Sequence, residues 1–293
     1  MKVALECMAC VHTQAVSAAR HAVKDERGVE RVLRAVARVY GRKRLEGTPA
    51  EYSQAVYTTV ARESGVRDPY AAEKKRFNTI ALAMLPDCTA ALKRAKDPLA
   101  AGAHLAVAGN IIDLGIGVHL DIHGTLANAL RMPFAVSDLD RLRRDLGLCR
   151  RLLYIGDNAG EIVFDTLLVE QLLKTGAQVV FTVKSAPIIN DATMEDAVES
   201  GMTKLVRVVE TGAADIGIDW KSVSAEFRRL FKQAHVILSK GHGNFETCSD
   251  RPGNIYFLLM AKCDMVAREL GVKVGDMVFK HSRGIGKSRR SAR

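Results

Sequence analysis

Oxygen-bearing side chains follow two successive strands that are predicted in the second half of the sequence. Asp157 and Asn158 come directly after the apolar run 151–155, and Asp191 follows the run 178–183. Because the carboxyl ends of parallel strands meet at one edge of a sheet, we expect these side chains to lie close together. Two carboxylates and one amide suit a hard cation such as Mg²⁺ or Mn²⁺. The alternative is that Asp157 and Asn158 only cap the following helix.

Groups that could bind phosphate are predicted at the same edge of the sheet. Lys240 and Lys262 follow the last two predicted strands, and lysine is a common phosphate ligand. Backbone N–H groups around Gly160, where the next helix opens, can also bind an anion. His242, which lies between two glycines, is either a general acid or an exposed loop residue.

Other polar residues are candidates for supporting roles. Glu161 and Asp165 lie one helical turn apart; they either orient the metal ligands or, for Asp165, face solvent. Asn110 and Asp113 come from the first half of the chain. They either close the site over the leaving group of the substrate or form hydrogen bonds between the two halves.

The spacing of apolar residues changes between the two halves of the chain. In the first half they recur every three or four residues, which predicts helices. In the second half, short apolar runs alternate with amphipathic segments, which is typical of βαβ units and a parallel sheet. The predicted helices are 11–24, 28–40, 51–64, 70–95, 160–174 and 222–233, and the predicted strands are 151–155, 178–183, 204–209, 235–239 and 255–261. We predict a helical domain at 1–148, an α/β domain at 149–279 and a basic, mobile tail at 280–293.

The composition is that of a folded protein, with 48% apolar and 26% charged residues in 293. No apolar run is long enough to span a membrane, and the first residues lack the apolar stretch of a secretory signal, so we expect a cytoplasmic protein. The formal charge of +10 includes six basic residues within 280–293, and aromatic residues are only 5%. Base-stacking surfaces are therefore scarce, and nucleic-acid binding is not favoured. Contact of the tail with RNA or acidic partners is the alternative.

The six cysteines are dispersed, which argues against a disulfide framework. Cys7 and Cys10 nevertheless form a Cys-x-x-Cys pair. The pair could be half of a zinc site, a redox pair or a buried structural feature that ties the first residues to the site.

Several short motifs run in order along the chain. The longest is 156–165, which contains Asp157 and Asn158; the others are Cys7-Met8-Ala9-Cys10 with Gln14, Asp68-Pro69-Tyr70 with Lys74 and Asn78, the segment 108–113, Lys240-Gly241 with Asn244 and Glu246, and Ala261-Lys262-Cys263. As an ordered set they resemble the metal-dependent damage-control phosphatases, catalogued as domain of unknown function 89. The cysteine pair is similar to that of subfamily I of this family, which includes archaeal members.

The resemblance implies a helical N-terminal region packed on a Rossmann-like, doubly wound and mostly parallel sheet. It also implies hydrolysis of phosphate monoesters of small metabolites, such as sugar phosphates or damaged phosphometabolites, with Mn²⁺, Mg²⁺ or Ni²⁺ as the cofactor. The metal ligands carry over to Asp157, Asn158 and Asp191. In eukaryotic relatives an Arg-Thr-x-Lys motif helps to hold the phosphate; Lys262 matches its lysine, whereas Leu259 stands at the arginine position.

The predicted site has the following members. The catalytic residues are Asp157, Asn158, Asp191 and Lys240, and the substrate-binding residues are Gly160, Glu161, Asn110, Asp113, Lys240, Gly241, Asn244 and Lys262. The favoured mechanism is attack on phosphorus by a metal-activated water, and a covalent intermediate on Asp157 is the alternative. Two other function classes are open: a carboxyl methyltransferase that uses S-adenosylmethionine, as described for one eukaryotic branch, and a basic nucleic-acid-binding protein.

Overall fold

The computed structural model describes residues 1–114 and 132–285, except for the side chains of residue 108 and residues 110–114. The first part forms the helices α1 (Glu6–Ala22), α2 (Glu26–Tyr40), α3 (Pro49–Ser64), α4 (Ala71–Arg94) and α5 (Pro98–Leu114). Local sequence explains two of the helix starts, because Asp25 caps α2 and Thr48 with Glu51 forms a capping box at α3. None of the described helices is both long and apolar enough to cross a membrane.

The second part alternates strands with helices. The strands are β1 (Phe134–Ser137), β2 (Arg151–Ile155), β3 (Gln178–Val183), β4 (Arg207–Glu210), β5 (Val236–Lys240), β6 (Ile255–Met260) and β7 (Met277–His281). The helices are α6 (Leu139–Leu148), α7 (Glu161–Leu173), α8 (Met194–Glu199), α9 (Met202–Leu205), α10 (Ala225–Gln233), α11 (His242–Cys248) and α12 (Asp264–Leu270), followed by a 3₁₀ turn at Ser282–Gly284.

In the described part of the chain, these strands form one seven-stranded sheet in the order β1-β7-β6-β5-β2-β3-β4. All neighbouring pairs are parallel except β6 and β7. From β2 the chain winds outward to β3 and β4, whereas β5 returns to the other side of β2. The crevice beyond the ends of β2 and β5 is therefore a topological switch point, where open α/β sheets bind ligands.

Helices cover both faces of the sheet, which explains why β5 and β6 are buried along their whole length. On one face, α5 to α9 pack against aromatic residues such as Tyr154 and Phe181. On the other face, α10, α11 and α12 pack around Phe227, Phe245 and Phe257. Helices α1 to α3 form a separate core, and α3 contacts α11. The α/β prediction, with helices packed on a mostly parallel sheet, is confirmed.

The structure corrects several predicted boundaries. Strands β1 and β7 were not predicted, and the strand predicted to start at residue 204 starts at Arg207, since residues 202–205 are helical. Lys280 and His281 belong to β7, so the start of the predicted tail is wrong, and residues 286–293 lie outside the described part. The division at residue 148 stays a prediction, although β1, which precedes it, is part of the sheet.

Candidate active site

Two loops meet at the switch point and carry the three predicted metal ligands. The turn after β2 contains Asp157 and Asn158, and the loop after β3 contains Asp191. The loops are joined by backbone hydrogen bonds, from Ala159 N to Asn190 O at 2.8 Å and from Ala192 N to Asp157 O at 2.8 Å. All three ligand candidates line one cavity of about 650 Å³.

The cavity lies between the helical layer and the ends of the strands. Helix α1 contributes Cys7, Cys10 and Gln14, and α3 contributes Pro49, Ala50 and Ser53. The sheet side contributes Asp157, Asn158, Asp191, His242, Glu246, Lys262 and Cys263. Residues from both halves of the chain therefore surround the same space.

The charged forms of the two carboxylates of the site are disfavoured, chiefly by burial. Burial, together with the charges of Glu161 and Asp191, raises the pKa of Asp157 well above its ordinary value, although Lys262 and Lys240 oppose this. Burial likewise raises the pKa of Asp191 to about 6, against the effect of Lys184, whose Nζ lies 3.5 Å from its Oδ2. The charged form of both groups would therefore be stabilised by an additional cation in the cavity.

The amide of Asn158 is held in a defined orientation. Its Nδ2 donates to Glu161 Oε1 at 2.9 Å, which leaves Oδ1 free to accept. Lys240 in turn donates to Glu161 Oε2 at 2.9 Å, to Asp165 Oδ1 at 2.8 Å and to the Ala106 carbonyl at 2.7 Å. Burial alone would lower the pKa of Lys240, but the charges of Asp165 and Glu161 outweigh it and raise that pKa above its ordinary value.

The donor set fits a hard divalent cation. It consists of the half-buried carboxylate of Asp157, the buried carboxylate of Asp191 and one oriented amide oxygen, which are the oxygen ligands that Mg²⁺ and Mn²⁺ prefer. Within residues 1–114 and 132–285, no three His, Cys, Asp or Glu side chains are placed to hold a metal. Asn158 would therefore have to supply the third protein ligand.

The structure corrects the roles predicted for five residues. Lys240 is wholly buried and occupied by three acceptors, so it cannot contact a phosphate in the cavity. Glu161 is also buried and acts only through Asn158 and Lys240. The Gly160 N–H, predicted to bind an anion, donates instead to Asn78 Oδ1 at 2.7 Å. These groups support the cavity and do not line it.

Gly241 and Asn244 are supporting residues as well. Gly241 has φ of +77°, and a Cβ there would lie 1.9 Å from the Asp157 carboxylate, so glycine is needed for that close approach. Asn244 is buried and donates to the carbonyls of Gly156 at 2.9 Å and Lys240 at 2.8 Å. It therefore fixes the ends of β2 and β5 relative to each other.

Lys262 and His242 do line the cavity. Lys262 is exposed and provides a lysine charge at its surface. Burial, with the nearby charge of Lys262, lowers the pKa of His242 to about 4, so this imidazole is neutral near pH 7 and a poor general acid. Asn110 and Asp113 lie in α5, but their side chains fall outside the described part.

Asn78 is a functional candidate that sequence reasoning left without a role. It is buried in α4, and besides accepting from Gly160 N it donates to Asp196 Oδ1 at 2.9 Å and to Glu199 Oε2 at 2.7 Å. Asp196 Oδ2 accepts from the N and Oγ1 of Thr193, two residues beyond Asp191. One side chain of the helical half thus links both ligand loops. The sequence signal that could have indicated a role for Asn78 is its place in the ordered set of motifs.

Lys74, one turn before Asn78, strengthens this link. Its Nζ lies 3.3 Å from Asp196 Oδ2 and 3.7 Å from Asp68 Oδ2, and the lysine is buried. Lys184 acts on the other side of the loop and also donates to the Gly217 carbonyl. Both lysines are buried cations next to the acidic loop after β3.

The cysteine pair lies at the cavity wall. Cys7, Cys10 and Cys263 all line the cavity as free thiols. Burial raises the pKa of Cys7 and of Cys263 above the ordinary thiol value, so neither is an activated nucleophile near neutral pH. Zinc, redox and structural roles for the pair stay predictions.

Comparison with known proteins identifies the family. The fold and cavity define an α/β enzyme with an acidic site at its switch point, and the damage-control phosphatase ARMT1-like domain matches residues 3–278. A damage-control phosphatase from Pyrococcus horikoshii is 33% identical, with 95% of this chain and 97% of that protein covered. A damage-control phosphatase from Archaeoglobus fulgidus is 31% identical over 96% and 99% of the two chains. The chain therefore belongs to the damage-control phosphatase ARMT1-like family, as its motifs predicted.

A solved structure agrees with this assignment. The crystal structure of a DUF89 family protein from Pyrococcus horikoshii superposes with a TM-score of 0.90 at 32% identity, and it covers 96% of this chain and 99% of its own. An uncharacterized protein from Methanocaldococcus jannaschii is similar over comparable lengths, at 34% identity and 95% of each chain. The family fold therefore extends over nearly the whole chain.

We expect Asn78→Ala to loosen the two ligand loops. The change leaves the Gly160 N–H and the buried carboxylate of Asp196 without this partner, which costs about 1–3 kcal/mol. Mn²⁺ affinity, measured by calorimetry on the folded variant, should fall about tenfold or more, as for other residues that orient metal ligands. Thr79→Ala is the matched control, since Thr79 is exposed and bonds only within α4. Unchanged Mn²⁺ affinity in Asn78→Ala would contradict the linking role.

Lys240 and Lys262 should respond differently to the same substitution. Lys240→Met leaves Glu161 and Asp165 as uncompensated buried acids, so the free energy of unfolding should drop by about 3–5 kcal/mol. Lys262→Met removes an exposed charge and should leave the melting temperature nearly unchanged while raising KM. Thermal unfolding and steady-state kinetics of both variants separate the two roles. A stable Lys240→Met protein with a raised KM would restore the original prediction for Lys240.

Proposed function

We propose that this protein is a divalent-metal-dependent phosphatase that hydrolyses phosphate monoesters of small metabolites. The observation that carries the proposal is the convergence of Asp157, Asn158 and Asp191 on one cavity, in a chain of the damage-control phosphatase family. The oxygen donors favour Mg²⁺ or Mn²⁺, and Ni²⁺ is a further candidate.

The three ligands have unequal roles in the proposed site. Asp157 and Asp191 would hold the cation by their carboxylates, and Asn158 by the amide oxygen that its bond to Glu161 leaves free. When bound, a divalent cation stabilises charge on the phosphate oxygens and makes water a better nucleophile. Support for this assignment comes from the raised pKa values of Asp157 and Asp191, which arise chiefly from burial and, at Asp157, also from the charges of Glu161 and Asp191.

Residues of this chain would bind and orient the substrate. Lys262 acts as a point charge on a phosphate oxygen at the cavity surface. Asp157 is the group most easily protonated in place, because burial and two acidic neighbours favour its neutral form until a cation arrives. His242 stays neutral, and its Nε2 is within 2.9 Å of the Met260 carbonyl and 2.8 Å of Lys262 N, so it braces the lysine backbone.

The charges of the cavity indicate which esters fit. Away from the proposed metal, the wall carries Glu6, Glu246 and Asp264, while Lys262 is a cation among its described lining residues. Arg268 neutralises Glu6 through a 2.9 Å contact, and burial raises the pKa of Glu246 to about 7. Above that pH, a second anionic group on the leaving group would face unpaired carboxylates. We therefore propose monoesters with one phosphate and a neutral leaving group.

Metal dependence is tested with p-nitrophenyl phosphate. Turnover should disappear with EDTA and return with Mn²⁺, Mg²⁺ or Ni²⁺, because the carboxylates alone cannot stabilise the developing charge. Asp157→Ala and Asp191→Ala should each lose metal binding by calorimetry and lower kcat by about 10³-fold or more, while both remain folded. Asp140→Ala, which removes an exposed acid of α6, should keep both properties. Turnover that is insensitive to chelation would refute the proposal.

Glu246 should set the discrimination against doubly anionic esters. At a pH where Glu246 is charged, kcat/KM for a hexose monophosphate should exceed that for the corresponding bisphosphate by about tenfold or more. Glu246→Gln should shrink this ratio about threefold or more by raising the bisphosphate value, whereas Glu26→Gln, at an exposed position of α2, should not change it. A ratio that is the same in wild type and Glu246→Gln would exclude Glu246 as a specificity determinant.

A further inference from the structure

A second concave site lies at the opposite edge of the sheet. It is formed where β2 begins, where the chain enters β5 and along one side of α10, and its volume is about 650 Å³. Its charged lining residues are Arg151, Arg228, Arg229 and Lys232, with His235 beside them. Because β2 runs from Arg151 to the turn at Asp157, the two sites are about 20 Å apart along the strand.

Two of the arginines are held in place by neutral acceptors. Arg151 Nε donates to the Gln233 carbonyl at 2.9 Å. Arg228 donates from Nε to the Val223 carbonyl at 3.3 Å and from Nη2 to the Lys221 carbonyl at 3.2 Å. These contacts fix the planes of both guanidinium groups without neutralising their charge, so donors remain for an anion.

Few acids compensate the charge of this site. No carboxylate is among its described lining residues. Glu226 is the acid of α10, and it is engaged by Arg207 Nη2 at 2.5 Å and by Arg229 Nη2 at 3.7 Å. Within the described part of the chain, no ion pair forms to Arg151, Arg228 or Lys232. Three full positive charges therefore share one concavity without a counter-ion from the protein.

We propose that this concavity binds an oligophosphate chain, that is, a linear run of phosphate groups. Fixed guanidinium groups match phosphate oxygens in pairs, and lysine adds a mobile point charge. A single phosphate dianion would be neutralised by two of the cations, so the full set suits a chain with several phosphates. Apart from the imidazole of His235, the lining residues that the structure describes include no aromatic ring on which a base could stack. Recognition is therefore of the phosphate chain, from a nucleotide or from inorganic oligophosphate.

The test is calorimetric titration with tripolyphosphate at low salt, with EDTA present so that no metal shields the ligand. The wild type should bind, and affinity should fall steeply with added salt because several phosphate contacts are ionic. Arg151→Gln with Arg228→Gln should weaken binding about tenfold or more, and Lys232→Gln, which makes no hydrogen bond within the described residues, should weaken it about threefold. Turnover of p-nitrophenyl phosphate should be unchanged in both variants.

Controls locate the binding and identify the source of the phosphates. Arg31→Gln with Arg38→Gln removes the same charge from exposed positions of α2 and should leave affinity intact, as should Lys262→Gln in the catalytic cavity. Equal affinity for tripolyphosphate and ATP supports recognition of the chain alone. The proposal is overturned if tripolyphosphate does not bind, or if the two arginine double variants lose the same affinity for it. It is also overturned if Lys262→Gln weakens tripolyphosphate binding, or if the affinity for ATP depends on the base.

Discussion

The close approach of two acidic loops at the switch point is the constraint on which the site depends. Asp157 and Asp191 are brought together by backbone hydrogen bonds between their own loops, although their charges repel. The protein offsets this repulsion with cations placed behind the loops, chiefly Lys184 on Asp191. The negative charge that remains uncompensated faces the cavity, where a divalent ion could bind both carboxylates. The same arrangement that raises their pKa values therefore prepares the proposed metal site.

The buried network below Asn158 shows how the sheet supplies rigidity to this site. Lys240 ends β5 and joins two acids of α7, and Tyr154 of β2 donates to Asp165 at 2.7 Å. A buried ion pair adds little net stability, because desolvation consumes most of the Coulombic gain. Its role here is to fix orientation. Lys240 holds the Glu161 carboxylate in place, and that carboxylate in turn accepts a hydrogen bond from the Asn158 amide. Lys240 at the end of β5 thus helps to orient Asn158, a candidate metal ligand that follows the neighbouring strand β2.

The sequence predicts the parts of this structure that depend on local pattern. Strands β2, β3, β5 and β6 are apolar runs that helices cover on both faces, whereas β1 has only four residues with alternating exposure and β7 ends in Lys280 and His281. The three ligand candidates could be predicted because they follow strand ends. The burial of Lys240 and the bond from Gly160 to Asn78 could not, since their partners come from helices 75 to 134 residues away in sequence.

The formal charge of +10 is unevenly distributed, since the two edges of the sheet carry opposite charges. The carboxyl edge collects acids around one exposed lysine, and the amino edge collects arginine and lysine around a concavity without carboxylates in its described lining. The proposed oligophosphate would be repelled by the first edge and attracted by the second, whereas the proposed monoester and metal would occupy the first. The direction of the strands separates the two sites. Helix α7 begins at the carboxyl edge, beside the acidic cavity, and α10 ends at the amino edge, beside the basic concavity. One net charge therefore conceals two ligand preferences that need not compete.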